Sequence, residues 1–307
     1  MGILGAGGGG SFAVTPYTGN GLARSISTGQ NIPNSGGLVW IDNVSSGTLF
    51  AMIFDTTRGA TNYIVPSSSN TENTGTQTLT AFNASGFDVG VSSNVNNNTD
   101  SIAAFSWLKS QGYLDIVSYT GNGATQTISH NLAATPTMMI IKSRTRDENW
   151  AVYHKDAGNN VEAALNTSSA FATSGSFDNT TPDASDFFVG PSSTTNENSQ
   201  DYVAYLFGEK AGNSKFGSYT GTGATGNAIT GLGFEPSMVI LKKTSGAGNW
   251  FVVYKDDSGD YLSVEADNTT AAVTRNTDIE FTADGFTHLA NWQANFPSDT
   301  YIYAAWS

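Results

Sequence analysis

Apolar and polar residues alternate along the chain in short segments, which are separated by clusters of Gly, Ser, Thr, Asn and Asp. Alternation with a period of two is typical of β-strands that bury one face. No segment keeps apolar residues at the helical period for the roughly ten residues that a stable helix needs. The pattern therefore predicts an all-β protein made of short strands and frequent turns.

The order of these segments recurs three times, and each round opens with the phrase Tyr-Thr-Gly-x-Gly. The tyrosines of the phrase are Tyr17, Tyr119 and Tyr219. The glycines suit a turn with positive φ that follows a strand. A recurrence at a period of about 100 residues predicts tandem structural units.

The recurrence divides the chain into an N-terminal arm and three repeats. We predict three tandem β-sandwich repeats over residues 15–110, 115–211 and 215–307, preceded by a Gly-rich arm over residues 1–14. Each repeat is expected to hold roughly seven or eight strands, and jelly-roll and immunoglobulin-like strand orders both fit this number.

An aromatic-rich strand lies near the middle of each round, in the segments LFAMIFD, NWAVYHK and NWFVVYK. Trp150 and Trp250 occupy the same place in the second and third of these segments, so they serve as further markers of the repeat. Taking every second residue predicts a face of large side chains that points inward. The members of this face are Phe50, Met52, Phe54, Trp150, Val152, His154, Trp250, Val252 and Tyr254.

The six tryptophans are candidates for stacking on sugars, but five of them lie in predicted strands, where a core position is the better interpretation. These five are Trp40, Trp107, Trp150, Trp250 and Trp306. Trp292 lies in the loop-like segment HLANWQANF, among polar neighbours. It is therefore the candidate for contact with a glycan or another surface, with a core position as the alternative.

Charge and composition exclude several classes of protein. The formal net charge is −13 and Lys and Arg are scattered, whereas a nucleic-acid binder needs a continuous basic surface. The chain has no cysteine, so disulfides and thiolate metal sites are excluded. No apolar run approaches the roughly 20 residues that span a bilayer, and the N-terminus lacks the basic region of a signal peptide.

Residues that carry chemistry are few and dispersed. The three histidines, His130, His154 and His288, occupy unrelated places in the repeat, and no acid and base pair recurs. We therefore predict a protein without enzymatic activity and without a cofactor. Carboxylates cluster in Asp-rich loops such as KDDSGD, where a solvated turn is the favoured interpretation and a Ca²⁺ site is the alternative. The carboxylates of this segment are Asp256, Asp257 and Asp260.

The glycine run near the N-terminus does not match a phosphate-binding loop, because no strand precedes it and no Lys-Ser or Lys-Thr follows it. Its composition instead predicts a flexible or strand-exchanging assembly arm that orders against a neighbouring subunit. The residues assigned to this role are Gly7, Gly8, Gly9, Gly10 and Phe12.

Taken together, these motifs resemble a repeat of virion structural proteins of tailed bacteriophages, especially the fibre-like proteins of marine and cyanobacterial phages. The resemblance rests on Tyr-Thr-Gly-Asn-Gly, Ile-x-x-x-Leu, a proline, a strand ending in lysine, Asn-Trp and a closing Tyr-Val-Ala-Tyr strand. The second and third rounds, from Tyr119 to Lys210 and from Tyr219 to Trp306, carry the pattern well. The first round departs from it, because Gly36 replaces the proline, Asp42 the lysine and Leu49-Phe50 the Asn-Trp pair.

The resemblance implies a virion structural protein of the tail-fibre or tail-tip type, with other virion proteins as partners and a host-surface glycan or receptor as a further contact. It would be made in the host cytoplasm and located in the virion. Sheet edges that must be shielded also favour a homo-oligomer, for which a trimer is one form. A capsid decoration protein is the alternative in the same setting, and a set of carbohydrate-binding modules is the alternative of another class.

Overall fold

The computed structural model describes residues 10–307, which form strands joined by turns. This confirms the prediction of an all-β protein. Three helices occur among the described residues, and each has only four residues. They are α1 (Ile32–Ser35), α2 (Ser93–Asn96) and α3 (Ser193–Asn196).

The first stretch of the chain, residues 12–108, contains nine strands. They are β1 (Phe12–Thr18), β2 (Arg24–Ser27), β3 (Gly37–Asn43), β4 (Met52–Asp55), β5 (Asn62–Tyr63), β6 (Asn73–Thr74), β7 (Leu79–Asn83), β8 (Gly86–Val89) and β9 (Ser101–Leu108).

The second stretch, residues 114–207, contains eight strands. They are β10 (Leu114–Thr120), β11 (Gln126–Ser129), β12 (Met138–Ser143), β13 (Ala151–His154), β14 (Val161–Ala164), β15 (Ala172–Thr173), β16 (Asp186–Val189) and β17 (Asp201–Phe207).

The third stretch, residues 214–306, contains nine strands. They are β18 (Ser214–Thr220), β19 (Asn227–Thr230), β20 (Met238–Lys243), β21 (Trp250–Lys255), β22 (Tyr261–Glu265), β23 (Val273–Thr274), β24 (Ile279–Thr282), β25 (Gly285–His288) and β26 (Thr300–Trp306).

Each stretch builds one large and one small antiparallel sheet with a closely similar strand order. The first and last strands of a stretch pair with each other in the large sheet. The large sheets have the orders β1-β9-β3-β4, β10-β17-β12-β13-β14-β15 and β18-β26-β20-β21-β22-β23. In the first stretch, a bridge between Ile53 and Ile64 joins β4 to the chain that follows β5. The small sheets are β2-β8-β7, β11-β16 and β19-β25-β24, and in the first stretch β5 and β6 pair as a further two-stranded sheet.

The small sheet covers the outer face of its large sheet, and an apolar cluster fills the space between the two. In the third stretch, Ile229 and Phe286 of the small sheet pack in one cluster with Val239, Leu241 and Phe251 of the large sheet. The first and second stretches have equivalent clusters. Each stretch is thus a β-sandwich in which two inner faces interdigitate.

The inner faces of the three large sheets share a single apolar cluster. The late aromatics of the three closing strands, Trp107, Phe207 and Trp306, meet there with ring centroids 5.4 to 6.1 Å apart and tilted edges. Edge-to-face packing is a favoured geometry for aromatic side chains. The large sheets are therefore buried on both faces, which explains why β3 is buried at all seven of its residues.

The predicted inward face is correct for the second and third stretches. Trp150 and Val152 of the second stretch and Trp250, Val252 and Tyr254 of the third all belong to the shared cluster. His154 is fully buried, and its ring centroid lies 6.3 Å from that of Phe216, a member of this cluster. The five tryptophans assigned to the core are all buried, which confirms that interpretation.

The predicted face is wrong for the first stretch. Met52 and Phe54 lie in the outer cluster with the small sheet, while Ile53 faces the shared cluster. The strand pairing shows that Ala51, and not Phe50, corresponds to Trp150. A shift of one residue moves every side chain of a strand to the opposite face, so this offset inverts the assignment.

Candidate functional site

The three stretches contact one another cyclically, and each contact is called a junction here: first–second, second–third and third–first. Trp150 crosses the first–second junction and donates from Nε1 to the carbonyl oxygens of Val65 and Ser68, both at 3.1 Å. Trp250 crosses the second–third junction and donates to the carbonyl of Ala164 at 2.9 Å. Val65 and Ala164 hold the same position in their sheets, so the two indoles make equivalent bonds.

The first–second junction also contains a buried network of charges. Arg58 bonds through Nε to Asp55 at 2.5 Å and through a terminal nitrogen to Glu72 at 3.0 Å. Glu72 is in turn bonded to Arg144 of the second stretch at 2.9 Å, and the Tyr205 hydroxyl donates to Asp55 at 2.8 Å. Since every charge has a partner, the network meets the condition under which buried ion pairs are tolerated.

The second–third junction is closed by His154. Its Nε2 donates to the carbonyl oxygen of Tyr303 at 3.1 Å, while its Nδ1 accepts from the backbone N–H of Asp156 at 3.2 Å. This pair of bonds requires the neutral ring with its proton on Nε2. Burial lowers the pKa of His154 to about 4, so the ring stays neutral at physiological pH.

The third–first junction departs from the other two. Ala51 stands where they have tryptophan, and the contact uses backbone instead, with the N–H of Ala272 donating to the carbonyl of Val44 at 2.8 Å. A cleft of about 250 Å³ opens at this junction. Its wall from the first stretch consists of Pro16, Tyr17, Thr18, Val44, Ser101 and Ile102. Its wall from the third stretch consists of Tyr254, Asp256, Asp257 and Leu262.

Asp42 occupies the position held by Lys142 and Lys242 in the other stretches. The Lys142 ammonium donates to the carbonyls of Ser69 and Ser143, and burial lowers its pKa to about 8. Asp42 is only 9% exposed, and no described residue forms a hydrogen bond with its carboxylate. Burial raises the pKa of Asp42 to about 7.

Asp42 lies close to Tyr254, which lines the cleft. The pKa of Tyr254 is raised by burial and further by the negative charges of Asp42 and Asp256. The Tyr254 side chain is 1% exposed, and its hydroxyl makes no hydrogen bond within residues 10–307. Tyr254 thus lines the cleft, whereas Asp42 is not one of its lining residues.

The repeated opening phrase forms a clamp at one end of each stretch. The tyrosine hydroxyls donate at 2.5 to 2.7 Å to backbone carbonyls of α2, of α3 and, in the third stretch, of the turn that holds Ala294. A buried asparagine accepts from the backbone of the phrase through Oδ1 and donates back through Nδ2. The three clamps consist of Tyr17 with Asn96, Tyr119 with Asn196, and Tyr219 with Asn295.

The sequence interpretation identified the tyrosines and glycines of the clamp but missed the asparagines. A signal existed, because an asparagine lies a few residues before each closing strand, in NVNNNTD, TTNENSQD and WQANFPSD. Its significance depends on a contact with the opening phrase more than 70 residues earlier in the chain. The spacing alone does not reveal that contact.

Trp292 is buried and does not provide the exposed platform that was considered for it. It is 6% exposed, packs against Phe251, and donates from Nε1 to Nδ1 of His288 at 3.0 Å. The Arg275 guanidinium lies over its ring, 5.0 Å from the ring centroid. Burial lowers the pKa of His288 to about 3, which keeps Nδ1 free to accept this bond.

The assignment of Phe12 to an assembly arm is corrected as well. Phe12 lies in β1, is 7% exposed, and its ring centroid is 4.9 Å from that of Trp107. The Gly10 carbonyl accepts a bond from Gln30 Nε2 at 3.1 Å, so this residue also adjoins the sandwich. Both positions belong to the folded body, because β1 begins before the predicted boundary at residue 14. Gly7, Gly8 and Gly9 lie outside the described residues.

The acidic loop of the third stretch is organised by its own backbone. Asp256 accepts from the backbone N–H groups of Ser258 and Asp260, both at 2.9 Å, and Asp260 accepts from the side chain of Asn276 at 2.6 Å. Across residues 10–307, no group of three or more His, Asp or Glu side chains is arranged to hold a metal ion. Helices long and apolar enough to cross a membrane do not occur in this part of the chain either.

Fold and junctions together define an all-β protein in which three sandwiches are joined around one apolar core. The chain belongs to the family described as "Domain of unknown function (DUF7483)", whose model matches residues 8–307. The match runs through all three stretches as one unit. None of the curated proteins compared with the chain is significantly similar to it.

Proposed function

We propose that this chain is a non-enzymatic structural protein of a tailed-bacteriophage virion, of the tail-fibre or tail-tip type. The observation that carries the proposal is the shared core, in which Trp107, Phe207 and Trp306 join three sandwiches into one body. A body whose sheets are buried on both faces resists deformation, as a component of an extracellular particle must. The resemblance of the opening phrase to virion repeats supports the setting.

The use of the buried polar residues supports a structural role. Glu72 and His154 bond to residues of neighbouring stretches, and the clamp asparagines fix the opening loops. Each of the three histidines holds a separate backbone or indole partner. These partners are the Asp183 carbonyl for His130, the Tyr303 carbonyl for His154 and the Trp292 indole for His288.

The clamped loops are the proposed surface for contact with the host or with other virion proteins. Leu22 is 67% exposed, and its carbonyl accepts a bond from Asn96. Phe296 is 40% exposed and follows the clamp residue Asn295. Large apolar side chains that remain exposed on ordered loops are typical of interaction sites. A homo-oligomer, including a trimer, remains part of this proposal.

A capsid decoration protein is the second candidate, because a compact body of this kind also suits repeated display on a head surface. The carbohydrate-binding alternative loses support, since Trp292, its stacking residue, is buried. Stacking on a sugar requires an exposed ring face, which Trp292 does not have.

Immunogold electron microscopy of virions from cells that produce this protein tests the proposal. The antibody is raised against the purified chain, and disrupted virions serve to expose hidden epitopes. We expect gold particles at the tail or its tip. Label over the head would establish the decoration alternative, and unlabelled virions that also lack the chain by mass spectrometry would overturn the virion proposal.

A further inference from the structure

Asparagine is followed directly by glycine at two places in the chain, and both lie in the opening phrase. They are Asn20-Gly21 in the first stretch and Asn122-Gly123 in the second. Both asparagines are exposed to solvent. In this dipeptide the glycine nitrogen can attack the side-chain amide carbon of the asparagine, because no side chain on the glycine hinders the approach. Asparagine is for this reason among the thermally labile residues of proteins.

The clamp holds the attacking nitrogen of each dipeptide in a hydrogen bond. The Gly21 N–H donates to the carbonyl oxygen of Asn96 at 2.9 Å, and the Gly123 N–H donates to that of Asn196 at 2.9 Å. The nitrogen must lose its proton in order to attack, and a bonded N–H releases its proton only when the structure opens locally. The closed clamp therefore withholds the nucleophile.

The clamp region also fixes the side chain that would be attacked. Asn20 accepts through Oδ1 from the Leu22 N–H at 2.9 Å, and Asn122 accepts from the Ala124 N–H at 2.8 Å. Turns of this kind are closed by the side chain of an asparagine two residues back. In the second stretch, Nδ2 of Asn196 adds a bond to the same oxygen at 3.3 Å. Both reacting groups must therefore be released before they can meet.

The third stretch shows that this turn does not require asparagine. Thr222 stands at the position of Asn20 and Asn122, and its hydroxyl accepts from the Ala224 N–H at 3.2 Å. Threonine cannot undergo the reaction, because its side chain has no carbonyl carbon. The first two stretches thus carry a reactive group that the turn itself does not need.

From these contacts we propose that Asn20 and Asn122 are sites of spontaneous deamidation, and that the clamps control its rate. The glycine nitrogen forms a bond to Cγ of the asparagine, gives its proton to water, and expels the side-chain nitrogen as ammonia. Water then opens the cyclic imide at either of its two carbonyls, which yields aspartate or isoaspartate. Both products add a negative charge to the loop, and isoaspartate also adds the side-chain methylene carbon to the backbone.

The modification would in turn disrupt the clamp that controls it. Gly121, the residue before Asn122, passes so close to the Glu197 carbonyl that a Cβ atom has no room there. An additional backbone carbon next to this contact would displace the two segments. The reaction is therefore an irreversible release of the opening loop, and its rate depends on how often the clamp opens.

Incubation of the full chain at pH 8 and 37 °C, followed by peptide mapping with mass spectrometry, tests the proposal. Labelling by isoaspartyl methyltransferase identifies isoaspartate in the same peptides. A synthetic peptide of residues 117–128, which has no clamp, supplies the unprotected rate for Asn122. We expect the full chain to react at Asn20 and Asn122 before any other asparagine, and Asn122 to react at least about tenfold more slowly than in the peptide.

Asn196→Ala should accelerate deamidation of Asn122 by about tenfold, because it removes the side-chain bonds that hold the phrase. Asn20 in the same molecule is the internal control, and its rate should not change. The reciprocal variant Asn96→Ala should accelerate Asn20 alone, and it provides the test if Asn196→Ala does not fold. Asn122→Thr should abolish the reaction in the second stretch and leave Asn20 at the wild-type rate.

Three results would overturn the proposal. The full chain could react at Asn122 as fast as the peptide, or other asparagines could react first. The variants Asn196→Ala and Asn96→Ala could also react at the wild-type rate while circular dichroism shows them to be folded. The measurement goes beyond the virion proposal and is independent of it, because it uses only the isolated chain.

Discussion

At the scale of the residue, Asp42 shows how one position can serve opposite purposes in similar surroundings. The ammonium groups of Lys142 and Lys242 donate hydrogen bonds to backbone carbonyls. Asp42 is instead buried without a hydrogen-bonding partner among the described residues. An unpaired carboxyl in the interior costs stability, because its ionised form loses hydration that nothing replaces. Residues that break a local rule in this way are often retained for function.

The unfolding free energy of Asp42→Asn, relative to that of wild type, should increase as the pH rises. Burial raises the pKa of Asp42 in the folded state from 3.8 to about 7, so between these values the unfolded chain is ionised while the folded chain still holds the proton. Ionisation of the unfolded state therefore destabilises wild type progressively as the pH rises, and the loss is complete above the folded pKa. The full difference corresponds to roughly 4 kcal/mol.

Urea unfolding of both proteins from pH 4 to pH 8 measures this difference. At pH 4 the carboxyl is protonated in the folded wild type and only about half ionised in the unfolded chain, so most of the pH-dependent loss lies above this pH and the measurement mainly gives the intrinsic cost of the amide. The unfolding free energy of Asp42→Asn minus that of wild type should then increase steadily to pH 8. A constant difference across the range would show that Asp42 is not a buried, unpaired carboxyl.

At the scale of the element, the clamp explains why the opening phrase recurs. Gly121 passes so close to the loop after α3 that a Cβ atom there would lie 2.3 Å from the Glu197 carbonyl oxygen, and equivalent contacts exist at Gly19 and Gly221. The phrase therefore needs glycine for close approach of two backbones. The asparagine on the other side of the contact supplies the bonds that hold the loop.

Gly121→Ala should destabilise the protein by about 1–3 kcal/mol, because the clash is with backbone that cannot move without breaking the clamp. Gly175→Ala is the matched control in the same stretch: a Cβ there meets nothing within 4 Å. Its unfolding free energy should stay within about 0.5 kcal/mol of wild type. Equal stability of the two variants in thermal and urea unfolding would contradict the proposed role of the clamp.

The alternation of apolar residues was sufficient to predict the strands and the all-β fold, since period and turn residues are local properties. It failed at Phe50, where the first stretch carries a one-residue offset that only strand pairing exposes. It also could not place Trp292, because polar neighbours in the sequence do not reveal that Phe251 and Arg275 cover the ring. The junction cleft involves two segments far apart in the chain, so no local pattern indicates it.

At the scale of the whole molecule, the shared core changes the meaning of the repeat. Each large sheet has an inner face that its own small sheet does not cover, and the neighbouring stretches cover it instead. The three stretches therefore depend on one another for burial of apolar surface. Folding units that share a core are expected to unfold together.

The excised second stretch, residues 109–211, should accordingly fail to fold. Alone it would expose the inner-face side chains Trp150, Val152, Tyr205 and Phe207, which are buried in the full chain. Calorimetry should show one transition for residues 10–307, with equal calorimetric and van't Hoff enthalpies, and no cooperative transition for the fragment. Three resolved transitions, or a fragment with native near-ultraviolet circular dichroism, would mean that the outer clusters suffice for folding. The junctions would then contribute little to stability, and their role would lie in binding and display.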